Sequence, residues 1–154
     1  MNTLLISALL SMLPLTELRL SIPYAMAQNA NPTAVFIICV MANIAVIFPI
    51  FLFLDYVHTR ALKIRGYAKI SSLFLRRIRL KAAKVERQMQ IYGYLALAGF
   101  VAIPLPITGA YTGTIIAWLL NLKRKKSFFA IASGVAIAGI IVTLASLGII
   151  NSLG

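Results

Sequence analysis

An apolar segment of the chain, residues 92–122, lies between two clusters of positive charge. Ten of the fifteen Lys and Arg residues fall between Arg60 and Arg87, and four more form the run 123–126. The segment between the clusters has 31 residues, whereas two helical membrane crossings need about 40 residues and a turn. If both clusters stay on one face of a membrane, the segment must enter and leave on that face without crossing.

The composition places this chain in a membrane. Hydrophobic residues make up 61% and charged residues 12% of the 154 residues, whereas soluble domains carry about a quarter charged residues. Each basic cluster adjoins an apolar segment, as cytoplasmic loops do. We therefore expect residues 56–91 and 123–126 to be cytoplasmic and to contact anionic lipid head groups, and we expect no nucleic-acid partner.

Proline and glycine predict where the segment 92–122 is broken. Pro104 and Pro106 lack backbone N–H donors, and Gly109 relaxes the chain. Irregular backbone at membrane depth survives only when it is buried in protein or lines a polar cavity. We therefore predict a re-entrant hairpin over 92–122.

Two other segments are apolar and long enough to cross a membrane. The sequence predicts transmembrane helices over 32–55 and 127–150. Residues 1–31 then form a first re-entrant hairpin, broken at Pro14 and Pro23. With the basic loops in the cytoplasm, both chain termini would lie outside.

The predicted fold is an all-α integral membrane domain over residues 1–154. Each half is a re-entrant hairpin followed by a transmembrane helix, and the second half is inverted relative to the first, as in many transporters. Between the halves, residues 56–91 combine helical spacing of apolar residues with basic residues, which predicts an amphipathic helix on the cytoplasmic surface.

A signal peptide is the alternative for the N-terminus. The tripeptide Ala25-Met26-Ala27 resembles a cleavage site after an apolar stretch. Residues 1–16 contain no Lys or Arg, however, so the positive region of a signal peptide is missing. We therefore favour the hairpin.

Glu17 and Arg19 are the charged residues of the first hairpin. Each ionisable group at membrane depth costs roughly 2.5–3.5 kcal/mol on insertion scales and usually marks a pathway or a paired site. Arg19 carries a planar fork that suits phosphate or carboxylate, and Glu17 could exchange a proton. The alternative is that both charges only neutralise backbone and hydroxyl groups of the other hairpin.

The other candidate substrate or coupling residues are polar or glycine residues at the same predicted depth: Asn43, Thr108, Gly109, Tyr111 and Thr112. A helix that starts after the second break would offer partial positive charge to an anion. Asn43 either braces the hairpin tips or forms an interhelical hydrogen bond. The sequence contains no metal-ligand cluster, nucleotide loop or catalytic set, which predicts neither an enzyme nor a metal or cofactor.

Two strings resemble a known family. Residues 17–23 resemble the Glu-x-Arg-Gly-x-Ile-Pro pattern of the putative small multidrug export proteins. Residues 104–113 resemble that family's Pro-x-Pro-Gly-Thr-Gly-Ala-aromatic-Thr-Gly pattern. This sequence has Leu20 and Ile107 where the family pattern has glycine. The resemblance covers the whole chain in size and order and implies a membrane transporter.

The paired hairpins are also similar to those of the DedA superfamily, which is implicated in moving lipids such as polyprenyl phosphate across bilayers. That resemblance implies Arg19 as a phosphate contact and Glu17 as a proton-linked acid. The DedA pattern has an arginine in its second hairpin, whereas residues 104–113 contain none, so a clamp of two arginines is not implied.

The sequence therefore predicts a transporter of an amphipathic anion, such as a polyprenyl phosphate or a phospholipid, with proton coupling. Export of small drug-like amphipaths is the alternative function, and a non-transporting scaffold or assembly factor is another. The expected partners are membrane lipids, the amphipathic substrate and further copies of the chain.

Overall fold

Helices make up almost all of the chain that the structure describes. The computed structural model describes residues 2–61, 92–105 and 108–153. In chain order its helices are α1 (Thr3–Ser11), α2 (Glu17–Ala27), α3 (Pro32–Ala61), α4 (Tyr92–Ala102), α5 (Ala110–Leu119) and α6 (Arg124–Leu153). These described ranges contain no strand, so the all-helical prediction is confirmed. Most of the predicted amphipathic segment, from residue 62 onward, lies outside them.

Two of these helices, α3 and α6, are long and apolar enough to cross a membrane. Both run beyond the predicted spans, since α3 continues to Ala61 and α6 begins at Arg124, inside the predicted basic loop. A cation in the first turn of a helix opposes the helix dipole. Arg124 lies there because Asp55, near the end of α3, forms an ion pair with it. The indole Nε1 of Trp118 donates to the other carboxylate oxygen of Asp55, at 3.0 Å.

The first break, defined as residues 12–16, separates α1 from α2. Pro14 lies inside this break, where its missing N–H donor ends the α1 pattern of hydrogen bonds. The two helices pack against each other across it. Pro23, the other predicted break, lies inside α2, so that prediction was wrong. The helix passes through it because its neighbours are buried; Ile22 and Ala25 are fully excluded from solvent.

The second break, defined as residues 103–109, separates α4 from α5. The helix α4 ends at Ala102, just before Pro104. Gly109 precedes α5 in extended backbone, with φ −138° and ψ −164°. The predicted break residue Pro106, with Ile107, lies outside the described residues.

The two long helices form the centre of the bundle. Each packs against the other, against α2 and against α5, and α3 also packs against α1. Glycines allow the closest of these contacts. A Cβ atom at Gly139 of α6 would lie 2.7 Å from Cγ2 of Val40 on α3, and one at Gly134 would lie 2.6 Å from the carbonyl oxygen of Ala98 on α4.

The helices α2 and α5 end in the same local structure. An asparagine in left-handed backbone follows each, Asn29 with φ 57° and Asn121 with φ 52°, and asparagine tolerates this region better than most residues. At both ends a backbone N–H reaches back to a carbonyl five residues earlier, from Ala30 in one case and Leu122 in the other. This pattern satisfies carbonyl groups that a helix end leaves unpaired, and a long helix follows it each time.

Gly134→Ala tests the packing of α4 on α6. We expect the free energy of unfolding in detergent to fall by about 1–3 kcal/mol, because the added methyl group meets backbone, which cannot rotate away. The matched control is Gly148→Ala in the same helix, where a Cβ atom has no neighbour within 4 Å. That variant should be neutral or gain up to about 1 kcal/mol from helix propensity. Equal destabilisation of the two variants would contradict the packing.

Candidate functional site

The first turn of α2, which directly follows the first break, lies against the second break. Arg19, in the first turn of α2, donates from Nη2 to the backbone oxygen of Thr108 at 2.5 Å and to its Oγ1 at 3.1 Å. Thr108 belongs to the second break and directly precedes Gly109. The structure thus brings together two of the predicted site residues that lie in different halves of the sequence.

Glu17 occupies the N-terminus of α5. Its side chain is 9% exposed, and its carboxylate accepts a hydrogen bond from the backbone N–H of Tyr111. A Cβ atom at Gly109 would overlap the same carboxylate, so only glycine leaves room for it there. A carboxylate is favourable at this position because a helix N-terminus carries partial positive charge. The helix terminus that the sequence predicted for an anionic substrate is therefore taken by Glu17.

The backbone of Glu17 is itself unusual. Its φ is 41°, in the left-handed region that costs a residue with a side chain roughly 1–2 kcal/mol. Such a conformation persists where surrounding contacts hold it. Here the contacts of the carboxylate with the start of α5 supply that restraint.

Thr108 organises the second break. Its Oγ1 accepts from the backbone N–H of Leu105 at 3.2 Å and lies 2.6 Å from the carbonyl oxygen of Ile103. Thr16 acts in the same way in the first break, where its hydroxyl donates to the carbonyl oxygen of Leu10. In each break, a threonine hydroxyl thus bonds to a backbone carbonyl group whose helical N–H partner is lost where the helix is interrupted.

Side chains from other elements satisfy the last carbonyl groups of α1. The Asn43 amide of α3 donates to the carbonyl oxygen of Ser11 at 2.8 Å, and the Tyr111 hydroxyl of α5 donates to that of Met12 at 2.5 Å. In return, the Ser11 hydroxyl donates to the carbonyl oxygen of Cys39 at 2.7 Å. Asn43 is 1% exposed, so both roles considered for it are met by one interhelical bond that braces the first break.

The sequence patterns match a family over most of the chain. The model of the family described as "Putative small multi-drug export protein" matches residues 17–141. The chain belongs to this family. Comparison with curated proteins and with solved structures finds no match.

Membership of the small multi-drug export family confirms the predicted resemblance. Together with two apolar helices of spanning length, it makes the chain a membrane protein. The match begins at Glu17, directly after the first break, and it includes the predicted site residues from Glu17 to Thr112.

The structure explains one of the two departures from the family pattern. Leu20, where the pattern has glycine, lies within α2 and is 57% exposed. The left-handed backbone in this part of the chain belongs to Glu17 instead, so position 20 needs no glycine. Ile107, the other departure, lies outside the described residues.

Two residues differ in their hydrogen bonds from what the sequence led us to expect. Ser11 was not predicted, because its contribution is largely a backbone carbonyl at the end of α1 and no pattern of side chains marks it. Thr112 was predicted, but its side chain forms no hydrogen bond to any described residue. Its hydroxyl therefore has no part in the contact between the breaks.

Gly109→Ala tests the contact with Glu17 through a double-mutant cycle. We expect Gly109→Ala alone to lower the free energy of unfolding by about 1–3 kcal/mol, because the methyl group displaces the carboxylate. In a Glu17→Ala background the same substitution should cost only a few tenths of a kcal/mol, as at an ordinary N-cap. Additive effects of the two substitutions, measured by thermal unfolding in detergent, would contradict the contact.

Asn43→Leu tests the brace between α3 and α1. We expect a loss of about 1–3 kcal/mol in the free energy of unfolding, because the buried carbonyl group of Ser11 loses its partner. The control is Thr143→Val in α6, where the hydroxyl only bonds back to Gly139 in its own helix. The control should change stability by less than about 0.5 kcal/mol, and a change as large as that of Asn43→Leu would argue against the brace.

Proposed function

We propose that the chain is a multi-pass transporter that moves an amphipathic anion across the membrane, with a phosphate-bearing lipid such as a polyprenyl phosphate or a phospholipid as its substrate. The observation that carries this proposal is the meeting of the two breaks. Arg19 and Glu17, the two charges of the first helical pair, both contact the second break. Charged groups on interrupted helices that meet inside a membrane are typical of transport sites.

The length and position of the short helices support re-entrant hairpins. The helix α1 has 9 residues and is about 13 Å long, under half of the roughly 30 Å hydrocarbon core. Its end is bound by Asn43, which lies near the middle of the apolar stretch Pro32–His58. If α3 spans the membrane, the first break lies close to the midplane.

The contacts at the helix ends support opposite entry of the two hairpins. The second helical pair, α4 and α5, begins and ends at the basic end of the bundle. Trp118 of α5 contacts Asp55 there, and the Tyr94 hydroxyl of α4 accepts a hydrogen bond from the backbone N–H of Lys123. The first pair leads from α2 directly into Pro32, at the opposite end of α3. Each pair would therefore enter from its own face.

An internal correspondence supports the inverted repeat. The sequence separation of Asn29 from Asn121 equals that of Thr16 from Thr108. Both asparagines have left-handed backbone, and each threonine hydroxyl donates to a carbonyl oxygen five or six residues earlier. The helix α2 packs on α6 as α5 packs on α3. Glu17 and Gly109 have the same separation and touch each other, as equivalent residues do beside a two-fold axis.

The charge distribution supports the orientation. The basic run 123–126 and Arg60 lie at the end of the bundle where Tyr56 and Trp118 also lie. Aromatic residues concentrate at membrane interfaces and basic residues on the cytoplasmic side. Residues 56–91 and 123–126 would then face the cytoplasm, and both termini the outside.

The proposed mechanism uses Arg19 for the substrate and Glu17 for coupling. A guanidinium has five N–H donors, and only Nη2 of Arg19 is used by Thr108 among the described residues. The other donors would bind the anionic head group. Protonation of Glu17 would weaken its hold on the start of α5, because a neutral carboxyl group gains less from a helix N-terminus. The two breaks could then separate and expose the site to the other face.

Export of a drug-like amphipath is the second candidate function. The description of the family, which names small multi-drug export, favours it. Arg19 and Glu17 would act in the same way, but the substrate would enter from solution instead of from the bilayer. A scaffold without transport activity is the remaining proposal, and no catalytic step belongs to any of the three.

Transport by reconstituted protein tests the proposal. We expect liposomes that contain the full chain to move labelled polyprenyl phosphate between leaflets, and Arg19→Ala to lower the rate at least about tenfold, because hydrogen bonds to charged groups contribute about 1.5–3 kcal/mol. Lys123→Ala, which removes a charge away from the site, is the control and should stay within twofold. A drug panel in the same liposomes tests the second candidate.

Two results would reject the transport mechanism. Unchanged flux in both Arg19→Ala and Glu17→Gln would show that the site is wrongly assigned. No flux of any lipid or drug, together with specific co-purifying membrane proteins, would favour the scaffold.

Cysteine labelling tests the topology. In a Cys39→Ala background, we expect Gln28→Cys and Lys125→Cys to react with a membrane-impermeant maleimide from opposite faces, since they lie at opposite ends of the bundle. Both positions are exposed, so access does not differ between them. Labelling from the same face would rule out the inverted repeat.

A further inference from the structure

A groove of about 500 Å³ runs between α2 and α6. Its wall on α2 is formed by Arg19, Pro23 and Ala27, which follow one another at four-residue intervals on one face of the helix. Pro104 of the second break also lines it. The volume falls within the roughly 300–1,000 Å³ of sites for small organic ligands.

The wall on α6 is apolar and contains small residues. It extends from Ile141 to Ile149, about 12 Å along the helix. Between Ile141 and Ile149, the small side chains of Ala145 and Ser146 leave the space that forms the groove. The Ser146 hydroxyl donates to the carbonyl oxygen of Val142 in its own helix, at 2.8 Å, so it is already bonded there.

Arg19 is the charged residue of the groove. Its Nη2 is held by Thr108, and its Nε and Nη1 donors form no hydrogen bond to any described residue. One end of the groove therefore presents a cation with donors that no described residue uses, while the rest presents hydrocarbon. This combination complements a molecule with an anionic head and one apolar chain.

The corresponding face of the other half has a different character. At the repeat separation that relates Asn29 to Asn121, Tyr111 stands in place of Arg19, Leu119 in place of Ala27, and Phe53 in place of Ala145. Large side chains thus occupy the positions that are small beside α2, and the cation is replaced by a phenol. At these three positions, small side chains and a cation are therefore found together in one half only.

We propose that this groove binds the hydrocarbon chain of an anionic lipid from the surrounding bilayer, whose head group is held by Arg19. The inference rests on the proposed function, since it names the chain-binding surface of the same site. Ile149 and Ile141 are 59% and 42% exposed, so the groove reaches the outer surface of the bundle. A lipid enters it sideways, and its chain stays in hydrocarbon while its head group lies at Arg19.

Binding measurements in phosphatidylcholine nanodiscs test the class of ligand. The probe is labelled dodecyl phosphate, which has one chain and an anionic head. We expect saturable binding to the full chain, and at least tenfold weaker binding of dodecanol, of inorganic phosphate and of dodecyltrimethylammonium. Equally tight binding of the ammonium compound would overturn the anionic specificity, and equally tight binding of inorganic phosphate would overturn the role of the chain.

Two substitutions that fill the groove test its location. Ala145→Phe should weaken dodecyl phosphate binding at least tenfold. Its control is Leu144→Phe, at a neighbouring position that is 63% exposed and does not line the groove; it should stay within twofold. Ala27→Phe fills the groove from the opposite wall and should act like Ala145→Phe. An unchanged thermal unfolding midpoint shows that each variant is folded.

Transport by the same variants separates the two proposals. If Ala145→Phe and Ala27→Phe, both folded, bind the probe and transport lipid as the parent does while Arg19→Ala fails, the groove is wrong and the transport function stands. If the parent and all variants bind dodecyl phosphate equally, Arg19→Ala included, the head-group site is wrong as well. Groove binding without any lipid flux would overturn the transport function alone.

Discussion

The structure depends on one constraint, which is that the backbone of two broken helices must find hydrogen-bond partners inside an apolar bundle. If the breaks lie at membrane depth, as we propose, water cannot reach the carbonyl and N–H groups that they free, and an unpaired group there costs several kcal/mol. The chain meets this constraint by joining the breaks. Arg19 binds the backbone of the second break, and Tyr111 binds the backbone of the first.

The same contacts prepare the site for function. Glu17 holds the start of α5 through a contact that needs glycine at position 109, and its own backbone is strained at φ 41°. In the proposed transport mechanism, this polar junction closes the bundle when its partners are joined, and it offers charged groups to the substrate when they separate. Closing the bundle and binding the substrate would then use the same side chains, as the proposed alternating access requires.

Much of this architecture follows from the sequence. Charge clusters, segment lengths and prolines predicted helices broken near Pro14 and Pro104. The contact of Arg19 with the backbone oxygen and hydroxyl of Thr108 is of the kind given as the alternative to a substrate site. Pro23 was misjudged, because burial of its neighbours outweighs the one hydrogen bond that proline removes. The bond from Asn43 to Ser11 could be anticipated only in kind, since the partner is a backbone carbonyl and any helix end in reach would have satisfied the amide equally well. The occupation of the α5 terminus by Glu17 was also hidden, since it depends on how two breaks face each other.

Solid-state NMR of the protein in lipid bilayers tests directly whether the start of α2 contacts the second break. The measurement is the dipolar coupling between the ¹⁵N-labelled guanidinium of Arg19 and the ¹³C-labelled carbonyl of Thr108. We expect a strong coupling, since Nη2 lies 2.5 Å from the carbonyl oxygen. Absence of a detectable coupling in the folded protein would contradict this contact.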